Sequence, residues 1–162
     1  MKNYRAAGGK FFSCTKDNFW EKLDQQLLNI SKVLKEQNYC SILNTYSKLT
    51  PKFEHEHIPI KTSLELNYDV DLAIVYSNIL VANTGSLVFS QKHILYPTVN
   101  NLAKIVFVLA FANHIVADMK TALDIQDKLG DYGTSEFVVP TRKESIQEYS
   151  KTNPLYALFL IS

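Results

Sequence analysis

Two short stretches carry side chains that could hold an anion. The first is Thr84-Gly85-Ser86, inside "ILVANTGSLVFSQ" (Ile79 to Gln91), where two apolar runs meet across small residues. Thr84 and Ser86 offer hydroxyl donors, and a glycine between them lets a ligand approach the backbone. The second is Thr141-Arg142-Lys143. Thr141 and Glu144 have the T-x-x-E spacing of a capping box, which predicts a helix starting at Thr141. Free backbone N–H groups and the positive end of the dipole at such a start favour an anion, and two cationic side chains strengthen that. Thr84, Gly85, Ser86, Thr141, Arg142 and Lys143 together make a candidate pocket for a carboxylate or phosphate. Arg142 is the expected main contact, because a guanidinium grips such groups in a bidentate way. The same residues also read as an ordinary hairpin turn and a capped surface helix, and both readings stand.

Other chemistry is thinner. Glu54-His55-Glu56-His57 would put two histidines on one face of a strand, but no third ligand accompanies them, and a solvated loop is the expected reading. Cys14 and Cys40 form no C-x-x-C pair, so neither zinc nor iron–sulfur spacing is present, and no metal or cofactor is expected. Both read as buried thiols. Cys14, at a strand end before a helix start, has a position that could lower its pKa. His114 follows a buried strand near its C-terminal end, a frequent place for function in α/β proteins, though it reads first as a helix-entry residue. Asp118 and Asp124 fall on a helical pattern and are expected in solvent. No nucleophile, base and orienting group form a recognisable set, so catalysis stays open.

These residues need a scaffold. "KFFSC" reads as a strand, and a helix capped by Thr15 follows to about Gln37, its stripe formed by Phe19, Leu23, Leu27, Ile30 and Leu34. A strand near 39–43 would complete a βαβ unit. Residues 44 to 69 show no sustained period. "DLAIVYS" is a short helix or strand, and a hairpin with strands at 79–83 and 86–90 centres on Thr84-Gly85-Ser86. Two runs apolar at nearly every position, 103–110 and 155–161, predict strands buried on both faces. Between them, "IVADMKTALDIQDKL" has helical spacing at Ile115, Met119, Ala122 and Leu129, with Gly130 beyond as a C-terminal glycine, and "EFVV" is a further strand. The expected architecture is α/β, one domain over residues 1–162 with a central sheet flanked by helices.

Seventeen basic and sixteen acidic residues nearly cancel, which argues against nucleic acid or an anionic membrane held by bulk charge. No secretory h-region opens the chain, and the longest apolar runs fall far short of a bilayer span. A cytoplasmic protein without membrane insertion is the expectation.

The order of features resembles the LUD domain family, that of lactate utilisation protein C. The matching pieces are "RAAGGKFFSC", "ANTGSLVFSQ", "LYPTVNNLAKIVFVLA", "HIVADMKTAL", "VVPTRKESI" and "NPLYALFLI". The resemblance covers most of the chain, weakest over residues 44 to 69, and the N-terminal helical region of longer relatives is missing. It implies a fold similar to glucosamine-6-phosphate deaminase, ribose-5-phosphate isomerase and the CoA transferases. It also implies a role near L-lactate oxidation, with iron–sulfur partner proteins; joined to the anion pocket read from the residues, the expectation is an accessory or regulatory protein of L-lactate utilisation that binds a small anionic metabolite. The alternatives are a small enzyme of that superfamily acting on a CoA ester or sugar phosphate, and a diverged member that retains only the fold. The chain departs from the family's late turns. Val139-Pro140-Thr141-Arg142-Lys143-Glu144-Ser145-Ile146-Gln147 lacks the family's Gly, Asp and final Glu, and Lys151-Thr152-Asn153-Pro154 lacks its histidine and glycines.

Overall fold

The structure, a computed structural model, describes residues 2–33, 41–42, 72–90, 102–130, 135–141, 143, 150 and 152–162. In chain order the elements are α1 (Lys2–Ala6), β1 (Lys10–Cys14), α2 (Phe19–Val33), β2 (Ser41–Ile42), β3 (Leu72–Tyr76), β4 (Ile79–Val81), β5 (Ser86–Ser90) and β6 (Ile105–Phe111). A 3₁₀ turn (Ala112–His114), β7 (Ile115–Val116), α3 (Met119–Lys128), β8 (Ser135–Val138) and β9 (Leu155–Ile161) follow.

Two sheets divide the strands. The central sheet runs β1-β9-β6-β3-β2 and is parallel throughout. The second runs β7-β4-β5-β8, antiparallel except where β7 joins β4. Side chains of a strand alternate between faces, and β6 shows why its sequence is apolar at every step. Ile105, Phe107 and Leu109 pack toward α2, whereas Val106, Val108 and Ala110 pack in the cluster that includes Leu80, Leu87 and Phe89 of the second sheet. β9 divides in the same way, with Phe159 and Ile161 on the α2 side and Leu158 and Leu160 on the other. Each such buried valine, leucine, isoleucine or phenylalanine contributes about 1.5–3 kcal/mol. The outer face of the second sheet, through Ile79, Val81 and Val88, is covered by α3 at Ala122, Met119 and Ile125. The layers are thus helix, parallel sheet, small sheet, helix. The flanked parallel sheet is the α/β architecture expected, and the second sheet interposed between it and α3 is an addition to it.

Local starts and stops have visible causes. Thr15 N–H donates to Asn18 Oδ1 and Asn18 N–H to Thr15 Oγ1, a reciprocal pair of the capping-box kind. It forms the turn before α2, whose first helical bond runs from Lys22 N–H to the Asn18 carbonyl. The Asp118 carboxylate caps α3 by accepting from Thr121 N–H at 2.8 Å, so it is a cap rather than a residue within the helix.

Several boundaries differ from expectation. The hairpin loop comprises four residues, Ala82 to Gly85, and Ser86 already pairs with Val81, so the first strand ends at Val81 rather than 83. Ile115 belongs to β7, not to the helix; its apolar spacing to Met119 imitates a helical period across a strand and a cap. α1, with Tyr4 as its buried residue, has too short a pattern to have been expected. "DLAIVYS" resolves to a strand, β3. The helix end beyond Val33, the strand positions flanking β2, and Cys40, Glu54–His57 and His93 lie outside the described residues.

Candidate functional site

The hairpin turn is held from within. Gly85 N–H donates to the Val81 carbonyl at 2.9 Å, and Gly85 takes the left-handed φ of 73° that its residue type permits. Thr84 Oγ1 and Ser86 Oγ share a hydrogen bond of 2.7 Å, with Ser86 buried and Thr84 exposed. The backbone that approaches Gly85 is the chain's own: a Cβ there would lie 2.6 Å from Tyr4 N and 2.8 Å from Asn3 C. Asn3 Nδ2 donates to the carbonyls of Ala82 and Asn83, both at 2.9 Å, and so fastens α1 across the turn. Thr84 is therefore the exposed hydroxyl of this group.

The β5–β8 register sets Leu87 against Val138 and Val88 against Phe137, antiparallel. The chain thus enters β5 from the hairpin turn at the end of the second sheet where β8 leaves toward Thr141. Pairing of these strands puts Thr84 and Thr141 toward the same end of the sheet, although 57 positions separate them. The Thr141 hydroxyl donates to Asn153 Oδ1, just before β9. Asn153 falls in the altered turn Lys151-Thr152-Asn153-Pro154. Thr141 and Lys143 lie outside helix and strand; Arg142 and Glu144 to Gln147, with the expected capping box, lie outside the described residues.

A second set of groups stands at the C-terminal ends of the parallel strands. Tyr76 Oη and His114 Nδ1 share a hydrogen bond of 2.8 Å between the end of β3 and the 3₁₀ turn after β6. Phe111 packs edge-on to both rings, at 6.1 Å from Tyr76 and 5.8 Å from His114. His114 therefore ends the turn bound to a tyrosine rather than opening a helix. Spacing along the chain gives no hint of this pair; the adjacency of β3 and β6 creates it. At the end of β1, Cys14 is buried, and burial pushes its thiol pKa up against the opposing charge of Lys22. That is the setting of a structural thiol and not of an activated nucleophile.

A parallel sheet stacked on a small antiparallel one, with a helix outside each, defines the class: an α/β protein whose polar groups gather at the strand ends. Residues 1–152 match the LUD domain family, and the chain belongs to that family. A DUF162 family protein from Deinococcus radiodurans has a similar fold, with a TM-score of 0.66 at 7% identity, covering 99% of this chain and 91% of that one. No curated protein matches the chain. Among the described residues no helix is long and apolar enough to cross a membrane.

Proposed function

We propose that this LUD-domain protein is an accessory or regulatory protein of L-lactate utilisation that binds a small anionic metabolite at the end of its second sheet. Family membership over residues 1–152 is the observation that carries the reading. The β5–β8 register supports the site, because it draws Thr84 and Thr141 to one end. Thr84 offers an exposed hydroxyl and Lys143 a cation, with Arg142 as the main contact. Gly85 and Ser86 shape the turn from beneath. In this reading residues 1–162 act as one domain in the cytoplasm, beside iron–sulfur partner proteins that carry the electrons.

Calorimetry with lactate, sulfate, phosphate and CoA tests the site. Arg142→Ala is expected to weaken anion binding by about 1.5–3 kcal/mol, the range for a charge-assisted bond, with folding barely changed. If the unaltered protein binds none of the four at millimolar concentration, the turn is only a hairpin. A second reading, a small enzyme acting on a CoA ester or sugar phosphate, draws on the Tyr76–His114 pair. Parallel α/β sheets commonly bind substrates at that edge. Turnover of such a substrate, lost in His114→Ala, would favour it.

A further inference from the structure

The face of the central sheet turned away from the hairpin carries a cavity of about 130 Å³ beneath α2. Its floor is Phe12, Phe107, Leu155 and Ala157, and Lys10, Gln26, Asn29 and Ile30 form its wall and rim. The pairing register explains why a space exists there. Lys10, Ala157 and Phe107 stand in one row across β1, β9 and β6. The other residues that β9 turns toward α2 are Leu155, Phe159 and Ile161, all large. Ala157 supplies only a methyl group. Above this gap α2 presents two amides, Gln26 and Asn29, whereas Phe19, Leu23 and Leu27 close down on the sheet beside it. Lys10 completes the rim from an exposed position at the start of β1.

The lining selects its occupant by chemistry. One water needs about 10–15 Å³ of such space, so the cavity has room for a molecule of up to about nine non-hydrogen atoms. Two phenyl rings, a leucine and an alanine favour an alkyl body. One ammonium and two amides at the mouth favour a single anionic head able to accept several hydrogen bonds. Phosphate fits poorly, because it would be desolvated against the rings with one cation to offset the cost. We propose that this cavity binds a short-chain monocarboxylate of about four to six carbons, with its alkyl end on Phe12, Phe107 and Ala157 and its carboxylate at Lys10. None of the six residues of the hairpin-end site lines it, so the inference does not depend on that site.

Methyl NMR titration of the full chain with isovalerate tests it, with isobutanol and inorganic phosphate as comparison ligands. Isovalerate is expected to shift the Ala157 and Ile30 methyl signals saturably. Lys10→Gln should weaken that binding about tenfold, as loss of a charge-assisted contact does. Ala157→Val should weaken it at least tenfold by placing two methyl groups where the alkyl end would lie. Because a core change can also disturb folding, Asn29→Leu, nearly isosteric and at an exposed rim position, provides a second variant: it removes one rim amide and should weaken isovalerate binding several-fold. No saturable shift up to about 50 mM, equal binding of isobutanol, or equal binding by Lys10→Gln would each overturn the proposal. So would phosphate competing on equal terms.

Discussion

The backbone of Tyr4 occupies the space into which a side chain at residue 85 would project. A Cβ added to Gly85 would lie 2.6 Å from Tyr4 N and 2.7 Å from Tyr4 Cα. Gly85 is also at a φ of 73°, where an L-residue is strained. Gly85→Ala is therefore expected to lose about 2–5 kcal/mol, combining left-handed strain with overpacking. Urea denaturation measures this. A loss under about 1 kcal/mol would mean that α1 does not dock on the turn.

Tyr4 itself is 1% exposed, and its hydroxyl has no hydrogen-bond partner among the described residues. Tyr4→Phe removes an unsatisfied group without changing shape, so stability at neutral pH should fall by less than about 1 kcal/mol or rise. Tyr4→Ala should cost about 3–5 kcal/mol through the cavity it leaves. A large loss in Tyr4→Phe would show that the hydroxyl is bonded in solution.

Burial, with the neighbouring Tyr156 adding to it, raises the Tyr4 pKa well above 10.0. The folded state therefore disfavours tyrosinate. Tyr4's contribution is complete below the unfolded pKa of about 10 and is lost as pH rises from there toward the folded pKa. The wild type should lose stability relative to Tyr4→Phe above about pH 10, with no such divergence at pH 8. Parallel denaturation curves at the two pH values decide it.

Asp118 accepts from both Thr121 N–H and Thr121 Oγ1, and these bonds, the backbone one foremost, lower its pKa from 3.8. Its contribution is present above the unfolded pKa and declines as pH falls through the folded one. Asn is also a good N-cap but does not titrate. Any advantage of wild type over Asp118→Asn near neutral pH should shrink as pH falls below about 4. An advantage independent of acid would place the stabilisation elsewhere than in the carboxylate.

The Tyr76–His114 hydrogen bond joins the places where β3 and β6 leave the central sheet. A double-mutant cycle of Tyr76→Phe and His114→Ala should give a coupling of about 0.5–1.5 kcal/mol. Coupling near zero would show that the two rings are merely adjacent.

β6 and β9 were legible because burial on both faces leaves an unbroken apolar run, and their cores at Phe107 and Phe159 follow directly. What the chain did not disclose was sheet on sheet. Leu80, Leu87 and Phe89 look like any half-buried hairpin until Val106 and Val108 are found against them. β7 was hidden because Ile115, Met119 and Ala122 happen to keep a helical spacing, although Asp118 before Met119 marked the true start. At the candidate site, residue types were readable but neighbours were not. Thr84 and Thr141 lie toward one end of the sheet through strand pairing, and Tyr4 reaches Gly85 through α1, a helix with a single buried side chain. Partners far apart in the chain follow from topology, which local pattern does not encode.

β9 follows every other strand of the central sheet in the chain yet lies between β1 and β6. While the polypeptide emerges from the ribosome, β1 and β6 therefore wait with unpaired edges, and the slot between them stays vacant until β9 is made. The pairing of Lys10 with Ala157 closes a loop spanning nearly the whole described chain, so it comes slowly and after local helices have formed. The nascent protein spends that interval exposing apolar strand edges, the kind of surface that chaperones protect.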